Sequence, residues 1–231
     1  MESLIHIRCL LISKNVRIEE LPETMCNLCN LQTLSIYYGV KKLPQGMSKL
    51  INLRHLNLYR EKVVFPKGIG RLTCLRMLSD FNVVHKDDKE GCRLGELKIL
   101  NQLQGTLRIY GLRNVVDVCE IENAQLKMKM HLFGLELEFG FVPESEEVEE
   151  KRRMENDVLF LNALEPHLKL EYLQISEYIG TKYPSWMISL TKLKKLDISR
   201  CSKVELLPPL GKLQFLKSLR IWHVGSVKVG V

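Results

Sequence analysis

The stretch MCNLCNL, residues 25–31, places Cys26 and Cys29 at the CxxC spacing with which thiolates bind zinc. A structural zinc needs four ligands, and the chain supplies neither a second CxxC nor an HxxH. Both thiols flank Leu28 within an apolar run, so packing is the expected role of this pair. GIGRLT, residues 68–73, has the look of a phosphate-binding glycine turn, but it fills the slot that TMCNLC and GMSKLI fill elsewhere in the chain. A dinucleotide fingerprint would instead follow a strand, open a helix and lead to an acidic residue. Histidines 6, 55, 85, 131, 167 and 223 show neither metal spacing nor a nucleophile partner. An enzyme is therefore not expected, and no catalytic, cofactor or metal residue is assigned. What the residues could do instead is recognise another surface, and the elements that would position them follow from a repeat.

LPETMCNLCNLQTLSI, LPQGMSKLINLRHLNL and FPKGIGRLTCLRMLSD begin at Leu21, Leu43 and Phe65, a period of 22 residues. Each holds an apolar residue, a proline and then LxxLxxL, and the first two close on LxI or LxL. Steps of three suit a tight turn passing a core, and a step of two puts alternate side chains on one face of a strand. Leu4, Ile7, Leu10 and Ile12 supply an earlier copy, and the runs ending at Ile198 and Ile221 supply later ones. This is a leucine-rich repeat. It implies an α/β solenoid with a curved parallel sheet on the concave face and helices and irregular turns on the convex face. One domain over 1–231 is expected, of about nine repeats, in an array incomplete at both ends.

Strands are expected near 10–12, 34–36, 56–58, 81–83, 107–109, 135–137, 173–175, 196–198 and 219–221. The fourth requires a slide of three residues after Leu78, to Phe81 and Val83. ENAQLKMKM (122–130) is expected to be a convex helix, because it lacks breakers and is rich in helix formers, and DVLFLNALEPHLK (157–169) is expected to be another. ESEEVEEKRRMEND (144–157) forms the core of an acidic insertion near 142–157, which the charge block predicts to be solvated and mobile.

Composition bounds the function classes. With 45% apolar and 26% charged residues the chain is of the ordinary globular kind. No run reaches the 18 apolar residues of a membrane span. The start, MESLIHIRCLLISK, lacks a basic leader and a small-residue cleavage site. Its seven cysteines are odd in number and unclustered, so reduced thiols in the cytoplasm are expected. Lys and Arg number 34 against 27 Asp and Glu, a net charge of +7. From Leu190 onward nine basic residues face only Asp197 and Glu205. Those basic residues interleave with core leucines and carry no recognition motif, which argues against nucleic acid.

In a strand whose leucines point inward, the residue after the second leucine points to the concave face. That slot holds Tyr37, Tyr59, Tyr110 and Trp222, with Val84, Glu138, Ser176 and Ser199 in other repeats. Tyr37 and Tyr59 fall in consecutive repeats and are expected to form a paired aromatic shelf, flanked by His55, Asn57 and Arg60. Tyr, Trp and Arg bury large areas while keeping a polar handle, which suits them to binding hot spots. The same rings could equally stack to stabilise the sheet. Lys195, Arg200 and Arg220 are expected to share the C-terminal concave surface and to receive an acidic protein patch, tempered by Asp197, with an ordinary solvated face as the alternative.

LPETMCNLCNLQTLSI and LPQGMSKLINLRHLNL resemble the repeats of plant nucleotide-binding leucine-rich-repeat disease-resistance proteins of the coiled-coil class. GTLRIYGLRNV (105–115), ENAQLKMKMHLFGLELEF (122–139), EPHLKLEYLQISEYIGTKYPSWM (165–187) and LPPLGKLQFLKSLRIWHVGSVKVGV (207–231) are similar to successive blocks of that family, in the same order. The resemblance covers essentially the whole chain. Such proteins carry a coiled coil and a nucleotide-binding switch domain ahead of the repeats, and neither is in this sequence. Asn15 and Cys201 alone fit the ladder position three residues past the strand. The resemblance implies a recognition module of an intracellular immune receptor, with a pathogen effector, a guarded host protein or the switch domain as its protein partner. The alternative is a general intracellular signalling scaffold outside immunity.

Overall fold

The computed structural model describes residues 4, 6–13, 18–37, 39–59, 62–85, 87–141 and 147–225. The three-residue steps of the sequence become short 3-10 helices. Pro22, Pro44 and Pro184 lie extended, at φ −68, −64 and −70°, directly before the turns Glu23–Asn27, Gln45–Lys49 and Ser185–Ser189. The proline ring fixes that φ and lacks the N–H that a first turn would leave unpaired. Residues three apart eclipse in such a helix. Successive turns, closed by Leu28 N–H on the Met25 carbonyl and Leu31 N–H on that of Leu28, therefore drive Met25, Leu28 and Leu31 inward together. Met47, Leu50 and Leu53 repeat the arrangement, as do Met187, Leu190 and Leu193.

Each set then runs into a strand. β1 (Cys9–Ile12), β2 (Thr33–Ile36), β3 (His55–Leu58) and β4 (Met77–Leu78) form one parallel sheet. β5 (Asp80–Asn82), β6 (Gly105–Tyr110), β7 (Leu132–Glu138), β8 (Tyr172–Ser176), β9 (Lys195–Ser199) and β10 (Ser218–Trp222) form a second. The leucine ladder sets the register: Leu107, Leu135, Leu173, Leu196 and Leu219 stand opposite one another in turn. A strand occupies each of the nine expected places. The side chains of these ladders and of the convex turns merge into one continuous core from Ile12 to Leu213.

The expected slide after Leu78 takes a different form. Leu78 stays in register with Leu56, and the strand is interrupted at Ser79. The Ser79 hydroxyl accepts from Leu58 N–H at 2.8 Å and donates to the Leu58 carbonyl at 3.0 Å, replacing a backbone pair at the seam. Beyond it Phe81 pairs with Ile109 and Asn82 with Tyr110. Asn82, not Val84, thus holds the concave slot of this repeat, and Val84 is buried.

The helices also differ from expectation. α1 spans Val118–Asn123, capped by the Asp117 carboxylate on Glu120 N–H, and the chain breaks at Gln125, φ 49°, before the turn Leu126–Met128. The expected helix over 122–130 is therefore mostly turn. α2 spans Glu147–Ala163, well upstream of the expected 157–169, and gives way before Pro166. Residues 147–157, expected to be mobile, are the first turns of this helix; 142–146 lie outside the described residues. Asp157 anchors it. Both carboxylate oxygens accept from Arg113, at 3.1 and 2.7 Å, and one also accepts from Ile179 N–H at 3.0 Å. At the far end the Trp186 indole donates to the carbonyls of Leu161 and Asn162.

Candidate functional site: the concave face

Since strand residues alternate, each concave strand offers the residue between its two core side chains as well as the residue after them. The between-residue row reads Leu11, Ser35 and Asn57 in the first sheet, then Asp80, Arg108, Glu136, Gln174, Asp197 and Arg220 in the second. It is neutral in the first sheet and charged in the second.

On the first sheet Tyr37 and Tyr59 stack face to face, ring centroids 4.0 Å apart and planes 8° from parallel. The pair is not core: Tyr59 is 43% exposed. The Tyr37 side chain, hydrogen-bonded alongside, raises the Tyr59 hydroxyl above its ordinary range, with burial adding to it. Beside the shelf His55 Nδ1 lies 3.3 Å from the Thr33 hydroxyl, and the Asn57 amide donates to the Ser35 hydroxyl at 3.1 Å. Arg60 lies outside the described residues.

On the second sheet the charges are mutually engaged. Arg108 donates to Asp80 at 3.0 Å, to the Tyr110 hydroxyl at 3.1 Å and to Glu136. Lys62 reaches across from the segment after β3 to Glu138, at 2.9 Å, and stands over the Tyr110 ring. Tyr110 is consequently only 7% exposed. Burial first and Asp80 next push its hydroxyl up to about 12. The expectation that Tyr110 offers a ring to a partner is corrected: charged neighbours on both sides cover it. Asp197 is buried between Lys195, 3.3 Å away, and Arg220, 3.8 Å away. The Tyr172 hydroxyl donates to Gln174 at 2.7 Å and reaches Asp197 at 3.5 Å, while Lys195 stands 4.5 Å above the Tyr172 ring.

Lys195 and Arg220 therefore do meet, but on a shared carboxylate. Arg200 does not join them. It follows β9 at φ 53° and pairs with Glu177 at 3.3 Å. A cavity of about 480 Å³ at this place is lined by three cations, Arg108, Lys195 and Arg220, and three carboxylates, Glu136, Glu138 and Asp197. The expected docking place for an acidic patch is thus a charge-balanced surface offering donors and acceptors alike. Asp197 Oδ1 is enclosed there with no hydrogen-bond partner among the described residues. Trp222 is exposed at the end of β10 and tilts against His223, ring centroids 4.4 Å apart. Asp80, Arg108 and Glu136 went unmarked in the sequence; for Arg108 and Glu136 the polar residue inside LxI or LxL was the available signal, whereas Asp80, between Ser79 and Phe81, had none. Lys62 carries no such signal, since its contacts span 76 residues to Glu138.

Cys26 is buried and Cys29 exposed. Burial raises the Cys26 thiol to about 11. Among the described residues no group of His, Cys, Asp or Glu is arranged to hold a metal ion, and no helix is long and apolar enough to cross a membrane.

Comparison with known proteins agrees with this architecture. A family model described as R13L1/DRL21 leucine-rich repeats matches residues 94–224. A chain of Arabidopsis thaliana named as a disease resistance protein is 47% identical over 214 residues, covering 90% of this chain and 15% of its own length. The disease resistance RPP13-like protein 1 of the same plant is 42% identical over 231 residues, covering 97% of this chain and 22% of its own length. Disease resistance protein RGA2 of Solanum bulbocastanum is 37% identical over 144 residues, 61% of this chain and 14% of that protein. The chain thus spans no more than 22% of the length of these relatives. Among solved structures, a TDR receptor superposes with a TM-score of 0.57 at 19% identity, over 95% of this chain and 35% of that one. A leucine-rich-repeat protein of Leptospira interrogans gives 0.51 at 20% identity, over 92% and 52%. At those identities the likeness is one of fold alone. With its concave ladder and convex turns in place, and with the family pattern matched over more than half its length, the chain belongs to the R13L1/DRL21 leucine-rich-repeat family.

Proposed function

We propose that this chain is the protein-recognition module of an intracellular plant immune receptor, acting in the cytoplasm through its concave face and without catalysis of its own. Its partner is a protein: a pathogen effector, a guarded host protein or the receptor's own nucleotide-binding switch domain. The observation that carries the reading is the Tyr37–Tyr59 stack, a flat pair of rings left open on the concave face of a chain whose relatives are named as disease resistance proteins. Aromatic side chains left partly in water with a free polar edge are what interface anchors are made of. His55 and Asn57 beside the shelf, and Lys195, Arg220 and Trp222 at the far end, extend the same contact surface. The names of the relatives favour this role over a signalling scaffold outside immunity.

The test is alanine at both Tyr37 and Tyr59 in the full-length receptor, read by partner binding and by defence output, with thermal melting alongside. Loss of either readout with folding intact supports the proposal. Unchanged binding and unchanged autoregulation, with only a lower melting temperature, would assign the rings to sheet stacking and reject it.

A further inference from the structure

The C-terminal half of α2 turns Phe160 and Leu161 into the core, as a surface helix should, but its N-terminal half presents charge to the body it covers. Glu149, Arg152, Arg153 and Asp157, on one helical face, line a cavity of about 480 Å³ together with Arg113 and His85. Val148 and Leu159 are instead 81% and 56% exposed. A local rule broken in this way is characteristic of sites that hold something.

The cations of this cleft outnumber their acceptors. Arg113 is engaged by Asp157 through two bonds, so that pair is neutral. Glu149 is then shared by Arg152, at 3.8 Å, and Arg153, at 3.4 Å. Both separations exceed the roughly 2.7–2.9 Å of a well-made charge-assisted bond. Nη1 of Arg153 is enclosed with no hydrogen-bond partner among the described residues. A guanidinium keeps its proton and all five donors in any environment, so these unfilled donors match an oxyanion. His85, exposed beside them and 3.0 Å from Asp87, adds an imidazole whose ring N–H can donate to a bound anion.

We propose that the cleft between α2 and the segment after β6 binds a small phosphate ester. The phosphoryl group would lie between Arg152, Arg153 and His85. A carboxylate presents one planar edge, whereas a phosphoryl group presents three oxygens, enough for two guanidinium forks and an imidazole. The volume exceeds what a bare phosphate fills and lies in the range of small-molecule pockets, which leaves room for the organic part of the ester. The site shares no residue with the concave face and stands or falls apart from the recognition role.

The test titrates ribose 5-phosphate, ribose and inorganic phosphate into the full chain by calorimetry. Expected is saturable binding of ribose 5-phosphate at a Kd of about 1 mM or tighter, weaker binding of inorganic phosphate and none of ribose. Arg153→Gln and, separately, Arg152→Gln should each weaken binding about tenfold. Arg152 is largely exposed, so its variant keeps the fold even if that of Arg153 does not. Glu149→Gln removes the competing carboxylate and should tighten binding, while Lys212→Gln, exposed and outside the cleft, should change nothing. Four results would overturn the site: no saturable binding, equal affinity for inorganic phosphate, indifference to both arginine substitutions, or an equal loss in Lys212→Gln.

Discussion

Replacing Asp157 by alanine should uncouple α2 from the repeat array. The Asp157 side chain is 1% exposed and that of Arg113 is 15% exposed, so the substitution leaves a nearly buried guanidinium facing the carbonyls of Gly140 and Glu177 and the Phe139 ring. Breaking a buried pair by removing one member costs about 3–5 kcal/mol. The Ile179 N–H loses its acceptor as well, worth about 1–3 kcal/mol. The two losses fall in one site and do not add in full, so about 4 kcal/mol is expected. Trp186 reports the event, because its indole is bonded to the end of α2. Placed in a Trp222→Phe background, its fluorescence follows α2 alone, while circular dichroism follows the whole array. A repeat protein need not unfold as one unit, so in urea the Trp186 signal should change before the dichroism does. An Asp157→Ala shift under about 1 kcal/mol, the size of an ordinary surface substitution, with coincident transitions, would refute the anchoring role.

Further substitutions separate packing from contact. Lys129 is fully buried, and its ammonium donates to the Leu97 carbonyl, at 2.7 Å, and the Asn101 side chain, at 3.1 Å. Burial lowers its pKa to about 8 from 10.5, so between those values the unfolded chain binds the extra proton and stability rises with pH. Measured against Lys129→Met, which lacks the titration, the wild type should gain about 2 kcal/mol in urea midpoints between pH 7.5 and 9.5; a constant difference would contradict the burial cost. Ser79→Ala removes the hydroxyl that holds the seam to Leu58 of β3 and should cost about 1–3 kcal/mol by leaving Leu58 unpaired, read by chemical unfolding, with no effect meaning that the seam closes without it. Tyr110→Phe should lower stability by about 1 kcal/mol, for the lost Arg108 bond, and leave partner binding unchanged; impaired binding in a pull-down with intact folding would return Tyr110 to the contact surface.

How much the sequence discloses depends on the range of each interaction. Met25, Leu28 and Leu31 reveal the convex turn, and Leu34 and Ile36 the strand, because both patterns are set by neighbours along the chain. The seam at Ser79 is hidden, since it depends on a hydroxyl bonding to Leu58 of the previous repeat. α2 is hidden for a related reason. Its charge suggests solvation, but Asp157 is drawn inward by Arg113, 44 residues earlier. Tyr37 and Tyr59 are legible as a pair because identical slots in adjacent repeats must face one another. Tyr110 occupies the same slot and is covered by Lys62 and Arg108, contacts that no slot rule encodes.

The central claim, that the concave face meets a protein, is tested most directly by site-specific crosslinking in plant cells. A photo-reactive amino acid is placed at Tyr59 on the concave side and, in a second variant, at exposed Ile51 on the turn before the same strand, in the full-length receptor. The account predicts protein adducts from position 59, whether to another protein or to the receptor's switch domain, and few from position 51. Adducts from position 51 with none from position 59 would contradict it.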